Sequence, residues 1–331
     1  MAVMTYMEAS RQALIEEMRR DERVWAVGED LGRGGVFGQY KGLAEEFGAE
    51  RIADAPISEA CIMGAATGAA MMGSRPVVEM RFSDFALCAT DELVNQAAKA
   101  RYMFGGQARV PLVVRQPIGM WRSSAAQHSQ SLESWYTHIP GLVVICPSTP
   151  EDNKGLLKSA IRCDDPVVYM EHKLLWPLEG EVPEGDDRVV PIGKAKVVRP
   201  GKDLTLVTWS ATVHDAVKAA VQLAAAGVDV EVIDLRTLWP WDKAAVMASV
   251  ARTGRLLVAH EAVSVAGFGA EIVATVCEGL YDRLLAPPTR VAAPRIHIGY
   301  APTLEDEVRV TPQRLIDAAT RLMQPRPGKT R

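Results

Sequence analysis

The sequence lacks an excess of either charge and lacks a long apolar run. Its 37 Lys and Arg face 41 Asp and Glu, for a net charge of −4 over 331 residues, so it offers no basic field for nucleic-acid phosphates. The most membrane-like stretch, residues 60–73, is 14 residues long, shorter than the roughly 18–20 that cross a bilayer. The first residues carry no charged segment followed by an apolar run, so no signal peptide is indicated.

Paired cysteines are also missing. The five cysteines are scattered, odd in number and set in apolar runs, and no CxxC pair occurs. Neither a disulfide framework nor a zinc site is therefore indicated, and we expect a protein of the reducing cytoplasm. An apolar content of 48% excludes a disordered chain.

The fold class follows from the alternation of short β-branched runs with longer helical patterns along the whole chain. Runs that are apolar throughout, such as residues 142–145, suit strands covered on both faces, which are typical of parallel sheets. The length predicts two domains. We therefore expect an α/β protein with two doubly wound domains, 1–178 and 202–324, joined by a Pro-rich, acidic linker at 179–201 and followed by a flexible tail at 325–331.

Two glycine-rich segments resemble a dinucleotide-binding fingerprint without completing it. Both Gly32–Gly38 and Gly267–Glu271 follow a predicted strand, but each lacks the third glycine of GxGxxG. A flexible loop explains the first segment and tight helix packing the second. A nicotinamide-dependent dehydrogenase remains an alternative without a complete motif to support it.

A first candidate for chemistry is Glu59. Ser58 is a suitable N-cap for a helix predicted at Glu59–Met72, and the helix is apolar on all sides, which predicts its burial. Glu59 would then be a carboxylate at a buried helix mouth. It either complements the helix dipole, a contribution of about 0.3–1 kcal/mol, or binds a ligand nitrogen.

A second candidate is His128. It follows the strand predicted at Val110–Arg115, on the side of a parallel sheet where ligands bind. A capping or core histidine is the alternative interpretation. Hydrolase chemistry at the adjacent Ser129 is disfavoured because the chain has no GxSxG motif.

Taken together, these segments resemble the beta subunits of the thiamine-diphosphate-dependent 2-oxo acid dehydrogenases, which include the pyruvate, branched-chain and acetoin enzymes. The run Gln130–Gly141, together with Glu171–Lys173, is most similar to the acetoin and bacterial pyruvate members. The other matching segments, in chain order, are Asp54–Glu59, Phe82–Phe85, Asp91–Lys99, Ala126–Gln130, Ile139–Leu142, Lys154–Arg162, Pro191–Ala195, Asp234–Leu238 and Gly267–Glu271.

The resemblance implies a transketolase-like pyrimidine-binding domain followed by a smaller transketolase-like C-terminal domain. Glu59 would hydrogen-bond the pyrimidine ring nitrogen of the cofactor and favour the tautomer whose exocyclic nitrogen removes the thiazolium proton. Phe85 would stack on the pyrimidine, with Ile57 on the same wall and Arg81 in the same cofactor-binding set. His128 would face the thiazolium side, where it would steady the substrate carboxylate or donate a proton during acyl transfer to lipoyl.

The resemblance also implies a partner. Relatives hold the diphosphate through Mg²⁺ bound by a GDG…N segment, and this chain has no GDG. An alpha subunit would therefore supply that half of the site in an α2β2 heterotetramer, docked to a dihydrolipoyl acyltransferase core through the C-terminal domain. Some relatives also hold K⁺ on backbone carbonyls, which would match Leu112, Ala160, Ile161, Cys163 and Asp165 here.

Two departures from the family pattern bear on the substrate. Arg81 stands where relatives carry Met or Gln, and Met120–Arg122 replaces a stretch that is commonly small and glycine-rich. Pyruvate is the first expected substrate, with acetoin and branched-chain 2-oxo acids as alternatives. Our hypothesis is that the bulky and cationic groups narrow or charge the pocket and so change this preference. A non-catalytic assembly subunit is a further alternative, which the joint presence of Glu59, Phe85 and His128 disfavours.

Overall fold

The computed structural model describes residues 1–185 and 187–324. These residues divide into two compact units. The first comprises residues 1–121, 127–192 and 238–240, and the second comprises 122–126, 193–237 and the chain from 241 onward. The predicted tail and Asp186 lie outside the described residues.

The first unit is built from short strands separated by helices. Its strands are β1 (Ala2–Thr5), β2 (Val24–Gly28), β3 (Ile52–Asp54), β4 (Arg75–Glu79), β5 (Val113–Ile118), β6 (Val143–Ile145), β7 (Val167–His172) and β8 (Glu179–Val182). Its α-helices are α1 (Tyr6–Arg20), α2 (Leu43–Phe47), α3 (Glu59–Met71), α4 (Ala98–Met103), α5 (Glu133–Thr137) and α6 (Pro150–Arg162).

In the described part of this unit a seven-stranded sheet runs in the order β3-β2-β4-β5-β7-β6, with a later strand at Thr237–Trp239 beyond β6. The pairs from β3 to β6 are all parallel. The chain goes from β2 to its neighbour β3 on one side and then to β4 on the other. This reversal is a topological switch point, and ligands in open α/β sheets bind outside the carboxyl ends of the strands there.

Helix α1 shows how local sequence sets the elements that support this sheet. Thr5 and Glu8 form a capping box, because each side chain bonds the other residue's backbone N–H at the start of the helix. Further along, Glu17 of α1 pairs with Arg162 of α6 at 2.6 Å. The two helices pack over a core that includes Leu14 and Leu157, both fully buried.

The second unit is a smaller α/β layer. Its strands are β9 (Lys196–Arg199), β10 (Leu204–Thr208), β11 (Val230–Asp234), β13 (Leu256–Val263) and β14 (Thr289–Ala293), and β12 is the strand Thr237–Trp239 named above. Its helices are α7 (Thr212–Ala225), α8 (Lys243–Thr253), α9 (Gly269–Leu280), α10 (Pro302–Val308) and α11 (Pro312–Met323). The described strands are ordered β14-β13-β10-β11-β9, and only the β11–β9 pair is antiparallel. Both units confirm the predicted α/β class.

The segment predicted as a linker contains regular structure. Strand β8 pairs antiparallel with β1, and β9 forms an edge of the second sheet. The two units divide between Ile192 and Gly193. The sequence analysis predicted a linker because this segment is rich in proline and acidic residues. Short edge strands tolerate such residues, so β8 and β9 were not predicted.

Two helical predictions were also wrong in part. The apolar pattern of residues 84–102 predicts one helix, but the structure has a 3₁₀ turn at Phe85–Ala89, a π-helical segment at Glu92–Ala97 and then α4. The helix predicted to be buried on all sides, α3, buries only one face, formed by Ile62, Met63, Ala66, Thr67 and Ala70. Its other face, Ala60, Cys61, Ala65, Gly68 and Met71, is exposed in the single chain. An all-apolar helix does not reveal from sequence which side its own chain covers.

Candidate active site

The switch point of the first sheet gathers charged residues from two strand ends and one helix start. Glu29 directly follows β2, and the β3–α3 connection passes beside it, since the Ala55 N–H donates to the Gly28 carbonyl at 2.9 Å. That connection ends at Glu59, the first residue of α3. Arg81 lies two residues beyond the end of β4, the other neighbour of β2.

Glu59 is the first residue of α3, as the sequence predicted, but it is half-buried and not enclosed at a buried helix mouth. Ser58 occupies the N-cap position, but its hydroxyl makes no capping bond. Among the described residues the Glu59 carboxylate has neither a hydrogen bond nor an ion pair, and Glu29 is its electrostatic neighbour. A half-buried carboxylate without a protein partner is a group that can bind a ligand.

His128 lies against two phenylalanine rings. Its ring centroid is 5.1 Å from that of Phe85 and 5.2 Å from that of Phe82, both in edge-on arrangements. The imidazole nitrogens have no hydrogen-bond partner among the described residues. The loop itself is held at its backbone, because the Lys173 ammonium donates to the His128 carbonyl and also lies 4.5 Å from the Phe82 ring centre. The structure thus brings His128 and Phe85, two of the predicted site residues, into contact.

An aromatic cluster extends from Phe82 toward Trp121. Phe37 contacts Phe82 with a centroid separation of 6.3 Å, Trp121 at 5.4 Å and Trp176 at 4.8 Å. The two tryptophans also meet edge-on at 5.6 Å. Trp121, one of the departures from the family pattern, is therefore part of a continuous aromatic wall that reaches the rings around His128.

The turn before this loop requires glycine. Gly119 has φ +90°, and a methyl carbon added there would overlap the ring of the buried His172. The Gly119 N–H donates to the Gln130 carbonyl at 3.2 Å, and the Ser83 hydroxyl donates to the same oxygen at 3.1 Å. These bonds fix both ends of the segment that carries Trp121 and His128.

The structure places the Arg81 side chain against acidic residues. Its guanidinium bonds the Asp30 carboxylate, and its Nε lies 3.5 Å from Glu29 Oε2. Burial raises the pKa of Glu29, the nearby Glu59 carboxylate raises that pKa further, and Arg81 lowers it. The sequence analysis placed Arg81 in the cofactor-binding set and missed its pairing with Glu29.

A buried charge network lies behind this site. Arg115, on β5, bonds Glu171 at 2.5 Å and lies 3.3 Å from Glu79. The Tyr40 hydroxyl donates to Glu79 at 2.9 Å. Burial raises the pKa of Glu79 to about 7, although Arg115 lowers it. One cation therefore serves two buried carboxyls, which favours a neutral Glu79 in the lower part of the physiological pH range.

Ile57 and the predicted potassium ligands are the remaining predicted site residues. Ile57 lies in the connection that leads to Glu59, and its side chain is 79% exposed. Of the predicted potassium ligands, the Leu112 and Ala160 carbonyls accept backbone N–H bonds at 2.8 and 3.1 Å. The Ile161 and Cys163 carbonyls accept from Arg75 at 2.9 and 3.0 Å. Among the described residues no group of three or more His, Cys, Asp and Glu side chains could hold a metal ion.

Comparison with known proteins identifies the family of this site. Residues 2–178 match the pyrimidine binding domain of transketolase and residues 193–315 its C-terminal domain. The chain is 44% identical over 324 residues to the 2-oxoisovalerate dehydrogenase subunit beta of Bacillus subtilis, covering 97% of this chain and 98% of that protein. The chain belongs to the beta-subunit family of the thiamine-diphosphate-dependent 2-oxo acid dehydrogenases.

Other relatives in the beta-subunit family carry different substrate names. The pyruvate dehydrogenase E1 component subunit beta of Rhizobium meliloti is 45% identical over 96% of this chain and 69% of its own length. The acetoin:2,6-dichlorophenolindophenol oxidoreductase subunit beta of Cupriavidus necator is 45% identical over 96% of each chain. A solved structure titled split gene transketolase, inactive beta4 tetramer, has a TM-score of 0.78 at 20% identity and covers 97% of this chain and 98% of its own. These matches confirm the predicted transketolase-like fold.

Residues that the sequence analysis missed complete the description of this beta-subunit site. Glu29 could have been found, because it directly follows a predicted parallel strand in the position where ligands bind. Phe37, Trp176 and Lys173 gave no such signal, since their contacts depend on loops that meet only in the folded chain. Among the described residues no helix is long and apolar enough to cross a membrane.

Proposed function

We propose that this chain supplies the pyrimidine half of a thiamine diphosphate site in an enzyme that oxidatively decarboxylates a 2-oxo acid. An alpha subunit would supply the diphosphate half with its Mg²⁺, so the chain would be active only in an α2β2 assembly. The observation that carries the proposal is the half-buried Glu59 carboxylate at the start of α3, which has no hydrogen bond or ion pair among the described residues.

The residues present fit the pyrimidine end of that cofactor. Glu59 offers a carboxyl oxygen that can hold and release a proton at a ring nitrogen. Phe85 is partly exposed and offers a ring face for an aromatic ligand. Thiamine diphosphate, when bound, supplies the carbon nucleophile that the side chains of this protein lack.

His128 would act on the substrate side of the same site. Its imidazole nitrogens are free of described partners, and the edge-on phenylalanine rings hold the imidazole in one orientation. It would steady the carboxylate of the 2-oxo acid or donate a proton when the acyl group passes to lipoyl. The aromatic wall from Phe82 to Trp121 would exclude water from this side.

A partner subunit agrees with the surface of α3. Its exposed face consists of alanine, glycine, cysteine and methionine side chains, and contiguous apolar surface of this kind marks interaction sites. Relatives named as subunits of dehydrogenases also lead us to propose an acyltransferase core as the larger assembly. A potassium ion could still use the second lone pairs of the Leu112, Ala160, Ile161, Cys163 and Asp165 carbonyls.

The test is reconstitution with an alpha subunit of the same dehydrogenase family from the same organism. The purified complex should bind thiamine diphosphate with Mg²⁺ and should either decarboxylate pyruvate or a branched-chain 2-oxo acid or cleave acetoin. The beta chain alone should do neither. Turnover by the beta chain alone, or none by a well-assembled complex with any panel member, would contradict the proposal.

A further inference from the structure

The Arg81 side chain lies between two acidic residues that follow strand β2. It bonds Asp30 and has its Nε 3.5 Å from Glu29 Oε2. Asp30 adopts a left-handed backbone, with φ +59°, which non-glycine residues rarely adopt. The local chain is therefore shaped so that both acids face the same guanidinium.

Glu29 is the more buried of the two acids. Its side chain is 11% exposed, against 45% for Asp30 and 30% for Arg81. Burial and the Glu59 carboxylate both raise the pKa of Glu29, and Arg81 opposes them. Loss of the guanidinium would leave only influences that favour a neutral Glu29.

The other charged groups near Glu29 do not supply the positive charge that Arg81 places beside it. A small cavity of about 10 Å³ is lined by Glu29, Gln39, Glu79 and Arg81, so Glu79 faces the same space. Glu79 is itself acidic, and its cation, Arg115, is shared with Glu171. Among the described residues Arg81 is thus the cation that is in ion-pair contact with Glu29.

We propose that Arg81 is a positioning residue that holds Glu29 as a fixed negative charge beside Glu59, and that the reaction needs this charge. The inference rests on the proposed function, in which Glu59 moves a proton. Arg81 would contact neither substrate nor cofactor; it acts through Glu29.

The expected sign follows from electrostatics. A nearby cation favours the ionised form of a carboxyl, so replacing Arg81 with a neutral side chain lets Glu29 take up a proton at higher pH. A reaction that needs ionised Glu29 is lost as the pH falls through its titration midpoint. The acidic limb of the pH profile should therefore move to higher pH in the variant.

The first experiment titrates Glu29 in the full-length chain without cofactor, by ¹³C NMR of labelled glutamate carboxyls, with the signal assigned from Glu29→Gln. Arg81→Met should move the Glu29 midpoint to higher pH, whereas Arg81→Lys should keep most of the wild-type value. Arg23→Met is the matched control, because the exposed Arg23 side chain also pairs with an acidic residue, Asp21. This variant should leave the titration midpoint of Glu29 unchanged. A Glu29 midpoint that is the same in Arg81→Met and wild type overturns the inference.

The second experiment measures kcat/KM against pH for the complex with its alpha subunit. In Arg81→Met the acidic limb should move in the same direction as the Glu29 midpoint, with Arg81→Lys between that variant and wild type. If the Glu29 titration midpoint moves but the acidic limb of the kcat/KM profile does not, the link between Glu29 and the reaction is overturned. A wild-type complex that decarboxylates no 2-oxo acid defeats the proposed function instead, and the NMR titration still decides the Arg81–Glu29 contact.

Discussion

Single residues at the ends of β2 and β4 and at the start of α3 determine the electrostatics of this site. Glu29, Glu59 and Glu79 are three carboxyls in partly or fully buried positions, and Arg81 and Arg115 are the cations that oppose their repulsion. Because burial disfavours charge, Arg81 favours the ionised form of Glu29, and Arg115 favours that of Glu79. The chemistry proposed for Glu59 depends on this division of charge.

The aromatic wall makes a residue-scale prediction about substrate choice. Replacing Trp121 and Arg122 together with glycine removes one ring of the Phe37–Trp121–Trp176 cluster and one charge, so the space for the substrate should grow. We expect the ratio of kcat/KM between a branched-chain 2-oxo acid and pyruvate to change by about tenfold or more. The measurement is a steady-state panel on the complex with the alpha subunit.

Trp135→Gly is the control for that change. Trp135 is a tryptophan of the same unit, 57% exposed on α5, so its loss should leave the ranking of substrates intact in an assembled complex. An unchanged ranking in the Trp121→Gly, Arg122→Gly variant would remove the specificity hypothesis.

The sequence predicted some of these residues and not others for a physical reason. Glu59 and His128 were found because each stands where a strand leads toward a helix, a local feature that the sequence displays. The contact between Arg81 and Glu29 joins residues that follow β4 and β2, and these strands are neighbours only because the sheet order reverses at β2. Sequence spacing carries no information about that order.

At the scale of elements, long amphipathic helices and buried strands were predictable and short or irregular ones were not. The sequence pattern predicts helices at Tyr6–Arg20 and Pro312–Met323, and α1 and α11 have these bounds. Both begin after a threonine cap and have one clear apolar face. Residues 84–102 were predicted as one helix because the 3₁₀, π and α segments are each only 5 or 6 residues long, too short for their different periods to show in the sequence. The edge strands β1, β8 and β9 were missed because they are short and half exposed.

The turn after β5 makes an element-scale prediction about stability. Gly119→Ala forces a left-handed backbone on alanine and overlaps the buried His172 ring, whereas Gly42→Ala forces a similar backbone, φ +85°, into open space. The free energy of unfolding should therefore fall by about 1–3 kcal/mol more for Gly119→Ala than for Gly42→Ala. Urea unfolding of the full-length chain followed by tryptophan fluorescence measures the difference, and equal losses would show that the His172 overlap is relieved at no cost.

At the scale of the whole molecule, the composition and the alternation of strands and helices were sufficient to predict the α/β fold class. The ordered sequence motifs were sufficient to predict the family. The exposed face of α3 was the main error, because the sequence shows that Ala60, Ala65 and Met71 are apolar but not what covers them. A chain meant to be completed by another subunit buries such residues only in the assembly. The proposed site between the alpha and beta subunits thus explains both the exposed face of α3 and the Glu59 carboxylate that has no partner among the described residues.

The most direct test of this account is the turnover of Glu59→Gln in the complex with the alpha subunit. Glutamine keeps the size of the side chain and removes the exchangeable proton, so the complex should assemble normally and lose turnover by a factor of about 10²–10⁴. Glu45→Gln, at an exposed residue of α2, should retain wild-type turnover. Near-normal turnover of an assembled Glu59→Gln complex would contradict the central claim.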